Sequence, residues 1–423
     1  MRSYWKLIRT FVGLFIMKTL LQINTTVGWN STGRIAENLG RMAIDAGWES
    51  YIAYGRDMNG RPQSASRLIK VGNRADMMAH GFMTRVFDRH GLASSGPTTD
   101  LIRRIDEVGP DVVHLHNVHG YYLNYEILFS YLSRTDVPVV WTFHDCWPLT
   151  GHCAYFDMAG CQRWMTSCGN CPLRNEYPAS LFADRSAANH DDKRRAFTSL
   201  RNLHIVAVSD WLGGMIRKSY LRNYPVYVIQ NGVDLPKFRY NEKTDEPVVL
   251  GVASKWETRK GLSDFIELRG KLPRNYKIIL VGLSPKQLRR LPDGIEGHLR
   301  EDEREGLYNW YRRASVFVNP SSSETLSLTN LEAQACGTPV VTYDSGGMSE
   351  TITPATGLLV RRGDVDGLAT AVMQVVSGGY SAEECRSHIV GNFNRADKYQ
   401  AYLNLYESLS DNTRLKIPDL VLS

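Results

Sequence analysis

The alternation of short apolar runs with longer amphipathic stretches constrains this chain more than any single residue does. Residues 19–23, 51–54, 112–115, 137–143 and 205–208 are short, mostly apolar runs, the signature of parallel strands buried on both faces. Helix-like stretches lie between them. From Gly33 to Ala46 the side chains of Ile35, Leu39, Met42 and Ala43 fall on one face. After a polar stretch at residues 241–247 the alternation restarts, with apolar runs at 248–252, 276–281, 316–318, 339–342 and 358–360. Two successive βα arrays predict two doubly wound α/β domains. A chain of 423 residues also exceeds one ordinary core. The expected division is 17–240 and 241–395, then a last helix and tail over 396–423. That helix carries Tyr399, Tyr402, Leu403, Leu405 and Tyr406 and is expected to pack back onto the first domain. The default ligand site is a cleft between the domains, at the carboxyl ends of the strands.

Hydrophobic residues at 43% and charged residues at 22% fit a globular protein. The net charge of +6 suits phosphorylated small molecules or an anionic membrane surface. It lacks the clustering of a nucleic-acid binder, so nucleic acid is not an expected partner. Residues 1–16 are apolar and basic but too short to span a bilayer, and no small-residue cleavage site follows. Two readings stand: translation starting at Met17, or an interfacial membrane helix. With no export signal the expected location is cytoplasmic, with the inner face of the plasma membrane as a peripheral site.

The densest chemistry lies in Ser321-Ser-Ser-Glu324-Thr-Leu-Ser-Leu-Thr-Asn-Leu-Glu332. In a continuous helix two carboxylates eight residues apart drift by only about 80°. The apolar run before them and the helix formers after Leu331 instead predict strand, loop and helix start, with a carboxylate at each end of the loop. Helix-start amides suit an anion and carboxylates suit sugar hydroxyls. Lys255 and Lys260 follow the first strand of the second array, where two cations can hold a diphosphate. Asn231-Gly-Val-Asp234 falls at the domain junction, and Cys336-Gly-Thr-Pro339 follows the helix. Pro110-Asp-Val-Val-His114-Leu-His116 and Thr142-Phe-His144-Asp145 mark strand ends in the first array.

Together these motifs resemble the retaining glycosyltransferases of family 4, which have the two-domain GT-B fold. The resemblance runs from Met17 to the last helix. It implies a nucleotide diphosphate sugar as donor, with Lys255 and Lys260 on the diphosphate. Lys255 stands where the family usually has Arg, which keeps charge but loses the planar fork. It further implies Glu324 on hydroxyls of the transferred sugar and Glu332 on the ribose. Leu326, Ser327 and Leu328 would line the donor pocket by their backbone, and His144 would reach the sugar near the reacting centre. Gly33 would let backbone approach phosphate or acceptor from a loop. Thr325 replaces the Gly that often follows the first Glu. Transfer with retention needs no protein nucleophile here, so Glu324 is not assigned as one. No donor-site divalent metal is implied. Asp364-Val-Asp366 resembles a metal motif of other glycosyltransferases but reads as a helix N-cap. His114 and His116 read as core or supporting residues.

A loop over 151–172 holds Cys153, Cys161, Cys168 and Cys171. The tight Cys168-Gly-Asn-Cys171 pair suits a four-thiolate structural zinc site, with free thiols or disulfides as the alternatives. A similar stretch occurs in capsule- and colanic-acid-type enzymes, which implies exopolysaccharide assembly and a lipid-linked saccharide acceptor. Residues 74–89 mix Met77, Met78, Phe82, Met83 and Phe87 with basic residues. They read equally as a membrane-facing helix or as one packed on the sheet. Rival functions are a sugar-nucleotide epimerase of the same shape, which needs no acceptor, and a non-catalytic sugar-nucleotide-binding assembly protein. The oligomeric state is not legible.

Overall fold

A computed structural model describes residues 17–57, 62–235, 246–301 and 303–411. The amino-terminal extension over 1–16 lies outside the described residues, as does most of the 241–247 stretch.

The first sheet has seven strands: β1 (Thr19–Asn24), β2 (Glu49–Tyr54), β3 (Arg67–Lys70), β4 (Val112–Leu115), β5 (Val139–Phe143), β6 (Leu203–Ala207) and β7 (Val226–Val228). Their order is β3-β2-β1-β4-β5-β6-β7, and every pair is parallel. The second sheet has six: β8 (Val248–Val252), β9 (Lys277–Leu283), β10 (Ile295–Leu299), β11 (Val316–Asn319), β12 (Val340–Asp344) and β13 (Gly357–Arg361). Their order is β10-β9-β8-β11-β12-β13, again parallel. In both sheets the strand order reverses beside the first strand, which opens a crevice at the carboxyl ends of the strands.

The apolar runs all become strands because both faces are covered by helices. Three strands fall outside the runs picked out from the sequence: β3, β7 and β10. All three are sheet edges; β7 is only three residues long, and β3 and β10 mix polar with apolar residues.

Helix Asn30–Asp45 buries Ile35, Leu39 and Ala43. The last helix, Arg395–Ser410, buries Tyr399, Tyr402, Leu403, Leu405 and Tyr406, and the two helices share one apolar cluster with Leu20 and Val112 of the first sheet. The Tyr406 hydroxyl meets His114 Nδ1 at 2.6 Å, and Thr142 donates to the Tyr402 hydroxyl at 3.1 Å. The last helix thus locks onto the first domain, and His114 is a buried core group, as read from its strand position. At the junction Val233 N–H donates to Phe393 O at 2.9 Å and Arg395 N–H to Val233 O at 3.1 Å. The two crossover segments therefore run side by side.

Candidate functional site

A cleft of about 680 Å³ opens between the sheets. From the first domain it is lined by Trp29 and Asn30 after β1, Asn117 after β4, and His144, Asp145 and Tyr155 after β5. From the second come Lys255, Arg259 and Lys260 after β8, Gly282 in β9, and Glu324 through Glu332 after β11. Asn231 to Asp234 form its floor at the crossover.

The sequence after β11 takes a shape different from the one expected. The helix spans Leu328–Ala335, with Ser327 as N-cap accepting from Asn330 N–H. Glu324 therefore lies in the loop, but Glu332 sits inside the helix. Its Oε2 accepts from the Tyr311 hydroxyl at 3.1 Å. Leu326, Ser327 and Leu328 face the cleft at the end where helix N–H groups lack intrahelical partners.

The Glu324 carboxylate meets two cations. Arg259 donates from Nη1 to Oε1 at 2.8 Å, and Lys260 Nζ contacts the same oxygen. Arg259 also donates to Ser323 O at 3.1 Å and stacks its guanidinium 4.3 Å from the Tyr155 ring centroid. Burial raises the Glu324 carboxyl, but Lys260 and Arg259 outweigh it and hold the group below its ordinary value. Burial also lowers the Lys260 ammonium, against the pull of Glu324. Gly261 has φ +72°, and a Cβ there would sit 2.5 Å from Pro320 O. Only glycine turns the chain there and brings Lys260 to the cleft. Lys255 lines the same cleft but is 78% exposed and pairs with Glu257 at 2.9 Å.

His144 is held by its neighbours. Its Nε2 lies 3.1 Å from His116 Nδ1, and His116 Nε2 lies 3.0 Å from Gln22 Oε1. Burial lowers the His144 value to about 4, with Asp145 opposing, so the ring is neutral at pH 7. Its carbonyl accepts from Thr325 Oγ1 at 2.8 Å, joining the two domains beside Glu324. His116 thus supports His144, as its place on the strand suggested.

One expectation needs correction: Gly33 is not in a loop. It lies in the first turn of helix Asn30–Asp45, where a Cβ would meet Thr26 Oγ1 at 2.6 Å. Its small size serves close packing of that turn on the strand-end loop. The zinc site expected at the four cysteines is not shown. Among the described residues no three His, Cys, Asp or Glu side chains are placed to hold a metal ion. Cys153 and Cys171 share a hydrogen bond, and Cys168 Sγ instead accepts from Gly151 N–H at 3.2 Å. Cys161, Cys168 and Cys171 pack against the apolar core of the first domain, and all seven described cysteines are free. The hydrogen bond from Cys153 lowers the Cys171 thiol to about 7. Asp364 is the helix N-cap expected, accepting from Gly367 N–H.

Sequence reading missed Arg259, Tyr155 and Asp145. Arg259 sits between two residues already singled out, and its adjacency to Lys260 was the only signal. Tyr155 belongs to the cysteine loop, whose path no local pattern fixes.

Residues 32–237 match the family described as Glycosyltransferase Family 4, and residues 246–378 match Glycosyl transferases group 1. The protein of Escherichia coli (strain K12) named as the colanic acid biosynthesis glycosyl transferase WcaC is 25% identical over 92% of this chain and 100% of its own length. A D-inositol 3-phosphate glycosyltransferase of Kribbella flavida is 27% identical over 63% of each chain. Among solved structures, sucrose-phosphate synthase from Thermosynechococcus elongatus superposes with a TM-score of 0.70 at 18% identity, over 94% of this chain and 100% of that one. Anabaena HepE in complex with UDP gives 0.62 at 14%, over 93% and 100%. The two family matches fall one on each domain and meet at the cleft just described: the chain belongs to the family 4 glycosyltransferases and has the GT-B fold.

Proposed function

We propose that this enzyme transfers a hexose from a nucleotide diphosphate sugar to a lipid-linked saccharide of a bacterial exopolysaccharide, with retention at the anomeric carbon. The observation that carries the reading is the convergence of Arg259, Lys260, Glu324, the start of helix Leu328–Ala335 and Glu332 on one cleft. Two cations and free helix amides answer a diphosphate. A loop carboxylate answers sugar hydroxyls, and a carboxylate one helical turn deeper answers a ribose. HepE, of the same fold, is solved with UDP-glucose, and the WcaC name points to colanic acid. Both support the donor class and the acceptor class.

In this reading Lys260 and Arg259 exchange part of their contact with Glu324 for the diphosphate as donor enters. Glu324 is then released to hold the transferred sugar. The cations stabilise charge on the leaving phosphate. That phosphate oxygen takes the acceptor's proton as the new glycosidic bond forms on the same face. Neutral His144 contacts the sugar from the first domain. Lys255, exposed and mobile in reach, contributes less than Arg259. The charge is met without a divalent metal, so transfer is expected to persist in a chelator.

The membrane reading of residues 74–89 gains support over the packed one. Helix Arg74–Phe87 buries His80, Gly81 and Thr84, while Met78 is 68% and Phe82 59% exposed. Leu181 and Phe182 are exposed beside it, because Leu181 N–H donates to Arg85 O at 2.8 Å. Arg74, Arg85 and Arg89 are also exposed, giving an apolar face with cations that suits anionic lipid. No described helix is long and apolar enough to cross a membrane.

The test is incubation of the enzyme with UDP- and GDP-sugars and a bacterial lipid extract, read by mass spectrometry and by NMR of the new anomeric centre. An added hexose in the donor's anomeric configuration is expected. Conversion of donor to an epimer without acceptor would replace this reading with the isomerase, and inversion would overturn the retaining route.

A further inference from the structure

Asp145 is a charged group on the cleft wall that the donor assignments leave unused. It follows His144 at the end of β5 and is 7% exposed. Its Oδ1 accepts from Trp147 N–H at 2.9 Å, and its Oδ2 lies 3.0 Å from His119 Nε2. His119 Nδ1 lies 3.0 Å from the Tyr177 hydroxyl. An ionised carboxylate only accepts, so His119 donates from Nε2 to Asp145, while its Nδ1 pairs with the Tyr177 hydroxyl. The chain Tyr177 to His119 to Asp145 thus fixes the orientation of the ring and of the carboxylate. Trp147 packs on the His119 ring at 5.0 Å between centroids and restricts it further. Burial raises the Asp145 carboxyl, but His119 and the Trp147 amide together hold it below the ordinary value.

Two hydrogen bonds leave further lone pairs on Asp145, and the residue lines the cleft. Tyr155 lies within electrostatic reach of both Asp145 and Glu324. Glu324 belongs to the second domain and Asp145 to the first. A hydroxyl donor is the group that fits Asp145; with the transferred sugar assigned to Glu324 and His144, the hydroxyl left for this carboxylate is that of the acceptor.

We propose that Asp145 binds the nucleophilic hydroxyl of the saccharide acceptor, and that His119 and Tyr177 are the residues that position it. The proposal rests on the transfer reading above and adds the acceptor's seat. Asp145 accepts a hydrogen bond and forms no covalent bond. The proton leaves with the departing phosphate oxygen, so the carboxylate is unchanged at the end of the cycle.

The test uses the full chain with UDP-glucose and other UDP- and GDP-sugars as donors and a bacterial lipid extract as acceptor source. Asp145→Asn keeps the shape and removes the charge. It is expected to lower transfer about 100-fold, while the dissociation constant for UDP, measured by calorimetry, stays within about threefold. Tyr177→Phe removes one hydroxyl and frees one side of the His119 ring. It is expected to raise the KM for the extract roughly tenfold with the donor KM unchanged, a split that mere loss of packing would not produce. Near-normal transfer by Asp145→Asn would overturn the proposal. So would a parallel loss of UDP affinity, which would move Asp145 to the donor side. If Asp145→Asn fails to fold, Tyr177→Phe decides, and an unchanged KM for the extract overturns the assignment. Absence of transfer by the wild-type enzyme from every donor would instead defeat the transfer reading itself, on which this seat depends.

Discussion

Replacing Glu324 by Gln tests the electrostatics of the cleft more sharply than any other single change. The carboxylate is the shared partner of Arg259 and Lys260, and all three side chains are largely buried, at 12%, 15% and 18% exposure. Gln keeps the size and one acceptor oxygen but leaves two adjacent cations without their anion. Breaking a buried pair in this way costs about 3 kcal/mol at the lower end of the usual range. For a domain of this size that is a fall in melting temperature of roughly 6–12 °C. The loss should depend on pH in a defined sense. The Glu324 value in the fold lies below its ordinary 4.5, so its contribution is present above that pH and is lost as pH falls through the folded value. Wild type and variant should therefore converge in acid. The loss should also respond to ligand. UDP supplies an anion to the freed cations, so UDP should raise the melting temperature of the variant more than that of the wild type. Transfer should fall about 100-fold or more, because the sugar contact is lost. Differential scanning calorimetry from about pH 2 to 8, with and without UDP, checks all of this beside the transfer assay. Equal melting temperatures at pH 7, with transfer near wild type, would refute the reasoning.

Lys260→Ala should weaken UDP binding by about 10- to 100-fold, the range for a lost charge-assisted bond, whereas exposed Lys255→Ala should change it only a few-fold; calorimetry separates the two. Burial lowers His80, His144 and His204 to about 4 each. An unfolded chain takes up those protons first, so folding stability should fall as pH drops from about 6.5 toward 4 and stay flat above, which denaturant melts at each pH would show. Phe82→Ser with Phe182→Ser should reduce sedimentation with vesicles containing anionic phosphatidylglycerol and leave UDP affinity unchanged, since both side chains point away from the cleft; unchanged sedimentation would remove the membrane face. Iodoacetamide should label Cys171 faster at pH 8 than at pH 6, following a thiol near 7, as peptide mass spectrometry would record.

The residues that local chemistry marked were those whose role is written nearby in the chain. Buried parallel strands need continuous apolar runs, so the central strands of both sheets were legible from those runs alone. Strands β3, β7 and β10 were not, because β7 is only three residues long and β3 and β10 carry polar residues among their apolar ones. Lys260, Glu324 and Glu332 stood out because a strand end followed by a helix start is a recognisable place for anion and sugar contacts.

Contacts between distant segments were decided only by the tertiary structure. Arg259 and Glu324 are 65 positions apart, and nothing in either stretch announces the pair. Sheet order brings the loop after β8 beside the loop after β11. The same holds for Asp145, His119 and Tyr177, which the connections after β4 and β5 deliver to one wall. Gly33 shows the reverse: a glycine that a motif would place on a ligand is used to let a helix turn pack on Thr26. The cysteine loop has metal-like spacing, and its thiols lie within electrostatic reach of one another while packing on the core of the first domain. Sequence alone determined two doubly wound domains and the charged residues that line the cleft, because burial and helix starts are local properties. Which cation meets which carboxylate, and which face of residues 74–87 meets solvent, depended on how the strands are ordered and what packs against them.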